Sequence, residues 1–405
     1  MLYWHRLIAL CGSLLLLFVI CTGLGIQFAD MRALVTHAPA TDPDMLMMRQ
    51  HISGTPSFVV LAPDDYTAAA LPAGFDYPAA LAKTAVLGHV AAPGAPLKLV
   101  EVRTLAGKPA GHVQAGDADM IFDLASGARL PDAAVPHAVS NEVPGSTRLA
   151  FKKLHQFRFV GPVGSFLNGA AALAFAGLIV TGLVQYTRMW RRRRAMGRRA
   201  LVWRAGGTWR DLHRAIAVIA SVVLIWIVGT GLAISIDDIG GSVQRMTQSH
   251  APRGAGGPRG APHDESSPLA DAELPAMART TLAAFRQAMP DTGVKVMRLR
   301  YYAKYPQGVV IAADGATSQL VFNAATGARM TMEEPGYPNS GFPYGWEWHQ
   351  RVKRLHRGDF FGMTGRWLDL LGGLSLLYLA VSGAIMYYRL WRRRSAGGRG
   401  RLVWR

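Results

Sequence analysis

Four stretches of this chain, residues 7–28, 165–187, 214–236 and 367–388, are apolar and almost free of charge. Each holds about 20 residues, enough at ~1.5 Å per helical residue to cross a hydrocarbon core of ~30 Å, so each predicts a transmembrane helix. Between them the pattern changes. Leu97–Thr104 alternates apolar and polar positions, which predicts a strand. Met120–Leu130 predicts strand, tight turn at Ser126-Gly127, strand, and Leu320–Met330 carries the same pattern 200 residues on. Val294–Arg300 matches the 97–104 strand. Met45–Gln50 and Leu282–Met289 read as helices, the second stopped by Pro290, and Ser57–Leu61 reads as a strand.

The recurrence runs through the spans as well. Trp4-His5-Arg6 and Leu212-His213-Arg214 each open an apolar run, and each run ends seventeen positions after the histidine, at Thr22-Gly23 and Thr230-Gly231. Leu154-His155 and Leu355-His356 each have Gly at +6 and +9 and a polar residue at +13, Asn168 or Asp369. Both then reach a hydroxyl–glycine step at +26 and +27, Thr181-Gly182 or Ser382-Gly383. The register persists to Trp190 and Trp391, and to the Leu-Val-Trp-Arg that closes at Arg204 and Arg405. The chain reads as a duplication.

Half of the 405 residues are hydrophobic and the net charge is +18. The charge is distributed by topology and marks no nucleic-acid footprint. Ten arginines fall between Arg188 and Arg214 and seven between Arg389 and Arg405, each cluster following an even-numbered span. The positive-inside rule therefore places both clusters and both termini in the cytoplasm. The long segments outside carry 8 basic against 12 acidic residues (29–150) and 13 against 11 (236–355). A cleaved signal peptide is the rival reading of the first run; its ~20 residues exceed the usual ~7–15 of a signal core, and its copy lies mid-chain. Cys11 and Cys21 both lie in the first span, ~15 Å apart along a helix, too far for a disulfide.

The expected architecture is an α-helical membrane protein with four transmembrane helices in a duplicated two-plus-two arrangement. Transmembrane helix 1 (1–28) precedes an outer domain (29–150), and helix 2 with an interfacial lead-in (151–188) precedes a basic cytoplasmic loop (189–212). Helix 3 (213–236) leads to a second outer domain (237–355), whose 249–268 stretch of Gly, Pro, Arg, His and Ser reads as a disordered insert. Helix 4 with its lead-in (356–388) ends in a basic cytoplasmic tail (389–405). Glu333–Trp348, rich in Gly, Pro, Tyr and Trp, suits a membrane-interface loop.

Candidate chemistry centres on the repeated histidines. His5 and His213 begin spans that start in the cytoplasm, and His155 and His356 begin spans that start outside. Two histidines per side is what two bis-histidine metal centres require. A haem iron takes one axial nitrogen on each face, and facing helices of a bundle supply them. Zinc would want three or four ligands per site. Interfacial anchoring is the plainer role for such histidines. Gly182 and Gly383 lie beside the inner pair, Gly23 and Gly231 beside the outer pair. These glycines either admit a macrocycle edge or serve close helix packing. His349 is a second choice for the outer site. His37, His51, His89, His112 and His137 lack repeat partners and read as surface or packing residues, and His250 and His263 as loop residues. No flavin, nicotinamide or P-loop motif is present, so electrons would come from another protein or a quinol.

These residues resemble the PepSY-associated transmembrane family, which includes iron-regulated inner-membrane proteins and ferric-siderophore reductases. The resemblance rests on the four histidine motifs, including Leu355-His356-Arg357-Gly358-Asp359-Phe360-Phe361-Gly362, the Thr-Gly span ends and the two Asp/Asn-x-x-[Ser/Thr]-Gly turns. It covers essentially the whole chain. It implies four spans in a bacterial inner membrane, two periplasmic α+β PepSY-like domains, and two b-type haems. His5 with His213 would hold the cytoplasmic-side haem, and His155 with His356 the periplasmic one. The implied activity is reduction of a ferric siderophore or other iron chelate by electrons from a quinol or cytoplasmic reductase. A non-enzymatic membrane regulator that binds a periplasmic protease or signalling partner is the alternative. A transporter fits less well, because no span has a charge near its centre.

Overall fold

The structure is a computed structural model. It describes residues 2–39, 41–53, 60–137, 143–203, 207–247, 267–302, 305–315, 317–330, 346–398 and 400–402. Helix α1 (Leu2–Val35) leads into α2 (Pro43–Ser53) and α3 (Tyr77–Ala91), then strands β1 (Leu97–Leu105), β2 (Lys108–Ala115) and β3 (Ala118–Asp123). A short helix α4 (Thr147–His155) precedes the long α5 (Val163–Ala195). Helices α6 (Thr208–Ile219) and α7 (Ser221–Thr247) follow, separated only by Ala220. Then come α8 (Leu274–Ala288), β4 (Val294–Tyr302), β5 (Tyr305–Ala312), β6 (Gln319–Asn323), α9 (Trp346–His356) and α10 (Gly362–Ala396).

Four helices have the length and apolarity to cross a membrane: Tyr3–Val35, Val163–Ala195, Ser221–Val243 and Asp359–Ala396. Their apolar side chains face outward as well as inward. Leu14 is 83% exposed and Val222 76%, a pattern that suits lipid and not water. Inside, Leu16, Ile20 and Leu24 of α1 pack with Ala171 and Phe175 of α5, Val228 of α7 and Leu370 of α10. The first span is thus built into the bundle. It also outruns the apolar stretch. Asp30, fully buried, is bonded to Arg148 and Arg366, so the helix continues past the end of the hydrophobic run. Both cysteines face outward from α1.

Outside the bundle lies one antiparallel sheet of six strands in the order β3-β2-β1-β4-β5-β6. The two outer segments, expected as separate domains, meet along β1 and β4, with Glu101 opposite Arg298 and Val102 opposite Met297. A three-stranded sheet would leave β1 or β4 as an open edge, and pairing them removes both edges. Helices α3 and α8 cover one face through Leu81, Ala85, Met277 and Phe285, packed on Val100, Val102, Met297 and Leu299. The expected turns are present. Asp123 Oδ1 accepts from Ala125 N and Ser126 N, and Asn323 Oδ1 accepts from Ala325 N and Thr326 N. Gly127 and Gly327 follow at φ 72° and 75°, a region that favours glycine. The strand expected after each turn shrinks to a single bridge, Phe122 to Arg129 and Phe322 to Arg329. Most of the Ser57–Leu61 strand, nearly all of the 249–268 insert and most of the Glu333–Trp348 loop lie outside the described residues, as do His250 and His263.

Candidate cofactor site

At the inner end of the bundle, His5 on α1 and His213 on α6 line one cavity of about 570 Å³. Its remaining wall is mainly apolar, with Leu10, Phe175, Leu224 and Leu376 among the side chains. The volume falls within the ~300–1,000 Å³ of small-molecule and cofactor sites. His5 Nδ1 lies 2.9 Å from the Thr181 hydroxyl, and His213 Nδ1 lies 2.7 Å from the Ser382 hydroxyl.

At the outer end the same contact recurs with the helices exchanged. His155 Nδ1 lies 3.1 Å from both the Thr22 hydroxyl and the Val19 carbonyl. His356 Nδ1 lies 3.1 Å from both the Thr230 hydroxyl and the Ile227 carbonyl. His155 also neighbours His356, whose pKa burial and then His155 push down to about 4. Both outer histidines end short helices above the spans. Each helix is stopped by a left-handed residue, Phe157 at φ 49° and Gly358 at φ 74°, and a 3₁₀ turn then redirects the chain.

Each hydrogen bond also assigns a proton. A carbonyl only accepts, so His155 and His356 carry their proton on Nδ1. The hydroxyls agree. Thr22 donates to Phe18 O at 2.8 Å, Thr181 to Gly177 O at 2.6 Å, Thr230 to Trp226 O at 2.7 Å and Ser382 to Leu379 O at 3.3 Å. With their protons committed along their own helices, these oxygens can only accept from the imidazoles. All four rings are thus arranged to donate from Nδ1, and in a neutral ring this leaves Nε2 as the nitrogen with the lone pair. None of the four Nε2 atoms has a hydrogen-bond partner among the described residues. A metal-ligating histidine has this arrangement, one nitrogen tied to an acceptor and the other presented to the metal.

All four glycines lie against the imidazoles, and Gly182 and Gly383 also line the inner cavity. A Cβ at Gly23 or Gly231 would lie 3.2 Å from Cε1 of His155 or His356. At Gly182 and Gly383 it would lie 3.6 and 3.7 Å from Cε1 of His5 and His213. Each hydroxyl–glycine step is thus a seat: the hydroxyl fixes the ring nitrogen and the glycine lets the ring lie against the helix. The two levels are joined by α1, where the seventeen residues from His5 to Thr22 span ~26 Å.

The remaining histidines go elsewhere. His349 contacts the Asp237 carboxylate. His89 pairs with Asp271 on the surface, and His112 is buried against Glu101 and Asp119. Among the described residues, no three His, Cys, Asp or Glu side chains cluster to hold a bare metal ion. The seat residues Thr22, Thr181, Thr230 and Ser382 recur visibly in sequence, but the sequence does not show that they grip the histidines.

A bundle of four membrane helices joined to an antiparallel α+β sheet domain, with imidazoles in pairs at two depths, defines the class as a membrane protein with a folded domain outside its spans. The chain belongs to the family described as the PepSY-associated TM region, which matches residues 2–390. No curated protein matches it.

Proposed function

We propose that this protein carries electrons across a bacterial inner membrane through two b-type haems, one held by His5 and His213 and the other by His155 and His356. Four Nδ1-anchored imidazoles with free Nε2 atoms, two at each depth, are the observation that carries the reading. The cavity between His5 and His213 has the volume for a cofactor. Neutral imidazoles are the donors a bis-histidine haem needs. Bound haem supplies a one-electron Fe(III)/Fe(II) carrier at each level. The chain's residues do the rest: the seats orient the rings, and the apolar walls keep water from the inner site. The outer PepSY-like sheet offers a surface where a ferric siderophore or similar chelate can dock. Each electron, drawn from a quinol or a cytoplasmic reductase, converts one chelated Fe(III) to Fe(II), which hard oxygen donors hold less tightly. The arginine clusters support a cytoplasmic position for the inner level.

A regulator that merely binds a periplasmic partner leaves the four anchored imidazoles without a purpose. Full-length protein in detergent should show Soret and α bands on dithionite reduction and about two haems per chain. His213→Ala should remove one haem and leave the protein inserted. Colourless wild-type protein after expression with ample haem would end the proposal.

A further inference from the structure

Above the outer histidines several basic side chains gather on two short helices. On α4, Arg148, Lys152 and His155 fall at i, i+4 and i+7, on one face of the helix. On α9, Lys353 precedes His356 by the same three residues as Lys152 precedes His155. The two helices are linked by ion pairs: Arg148 of α4 shares Asp30 with Arg366, and Arg366 shares Asp359 with Arg357, the residue after His356. Burial, then Lys353, Arg148, Arg158 and Arg357, hold the Lys152 ammonium well below its ordinary pKa. Lys353 is pushed down to about 8 by burial and by Arg357, with Asp238 opposing.

Two nearby carboxylates are already shared. Asp30 accepts from both Arg148 (Nε to Oδ1, 2.7 Å) and Arg366, and Asp359 pairs with both Arg366 and Arg357. Three guanidiniums thus divide two carboxylates. Arg148 is only 2% exposed, yet its Nη1 has no hydrogen-bond partner among the described residues, and neither has Arg357 Nε. Buried donors left open beside clustered cations call for an anion. Lys152 and Lys353 each stand one helical turn before a histidine of the outer pair, a place that suits one anion: haem b carries two carboxylates on one edge.

Building on the haem reading above, we propose that Lys152 and Lys353, backed by Arg148 and Arg357, anchor the two propionate groups of the haem whose iron His155 and His356 hold. The anchor sets which edge of the macrocycle faces outward. Its cations also favour the reduced, less positive iron.

The test uses full-length protein loaded with iron protoporphyrin IX or with its dimethyl ester, which lacks both negative charges. Haem loss to excess apomyoglobin is followed by the Soret band, and the outer midpoint potential by redox titration. Lys152→Gln with Lys353→Gln should speed loss of the outer haem roughly ten- to a hundredfold, the worth of one or two charge-assisted hydrogen bonds. It should also lower the outer midpoint potential and spare the inner haem. The ester should leave the wild-type outer site as fast as the diacid leaves the variant, and the variant should lose ester and diacid at similar rates. Equal retention of diacid and ester by the wild-type outer site overturns the proposal, and this arm stands even if the variant fails to insert. Unchanged haem retention with weakened binding of ferric citrate overturns it too, because the cations would then serve an external chelate. Wild-type protein that takes up no haem at all is a different result, which removes the reading beneath.

Discussion

His155 and Thr22 stand 133 positions apart in the chain and meet at 3.1 Å, imidazole Nδ1 against a threonine hydroxyl. The same Nδ1 lies 3.1 Å from the carbonyl of Val19, one turn earlier on α1. A threonine whose own proton goes to Phe18 O therefore acts as a second acceptor. The geometry fixes ring, tautomer and direction together, and the three other repeated histidines share it with Ser or Thr in the same role.

The outer histidines have two acceptors each and His5 has Leu178 beside Thr181, whereas His213 has only the Ser382 hydroxyl among the described residues, which predicts unequal sensitivity. Ser382→Ala removes the hydroxyl that holds His213 and should weaken inner haem retention about tenfold, the lower end for loss of a ligand-orienting partner. Thr22→Val leaves the Val19 carbonyl in place and should cost the outer site less. Haem retention in the two variants, measured side by side, checks the order. A larger loss from Thr22→Val contradicts the carbonyl's role.

Glycine substitution should give the opposite order. A Cβ at Gly23 would stand 3.2 Å from the His155 ring, tighter than ordinary contact, whereas at Gly182 it would stand 3.6 Å from His5. Gly23→Ala should displace the outer imidazole and cut outer haem content, while Gly182→Ala should be tolerated. Pyridine haemochromogen counts on both variants decide it.

Asp30 is the keystone of the outer end, fully buried and bonded to Arg148 of α4 and Arg366 of α10. Asp30→Ala leaves two buried guanidiniums without that carboxylate, a loss on the order of 3–5 kcal/mol. The variant should insert poorly or unfold at markedly lower temperature in detergent, seen in its thermal midpoint. Asp30→Asn keeps the shape and should lie between it and the wild type.

The spans were legible because an uncharged run of membrane length has few other uses, and the strand turns because Asp123 and Asn323 head the same short motif. The strands β2 and β5 were not. Lys108–Ala115 and Tyr305–Ala312 each carry a proline and a glycine, and the side facing away from α3 and α8 carries buried polar groups such as His112 and Gln307, which blurs the alternation. Helix α3, Tyr77–Ala91, is apolar on most sides and shows no stripe. At the site, position was legible and role was not. The hydroxyl–glycine steps stood out by repetition, but that they grip histidines depends on helices brought together across the bundle. Lys152 and Lys353 carry no signal in the sequence beyond their shared spacing before a histidine.

The sheet's polar face predicts how the outer domain responds to pH. Glu101 is fully buried between Arg298, Arg103 and His112. Burial opposes its ionisation, but Arg298 and then Arg103 outweigh that and hold its pKa well below 4.5. Its contribution is present above pH ~4.5 and lost as pH falls toward the folded value. For His112, burial favours the neutral ring, yet Asp119 and Glu101 prevail and raise its pKa above 6.5. Its contribution is complete below pH ~6.5 and is lost as pH rises through the raised value. The outer domain should therefore be most stable in mild acid and soften on the alkaline side. In His112→Gln that alkaline decline should flatten while the acid limb remains. Thermal midpoints from pH 4 to 9, read by the β-sheet amide band in infrared spectra of the detergent-solubilised protein, test both limbs, and an unchanged alkaline slope in the variant refutes the role of His112.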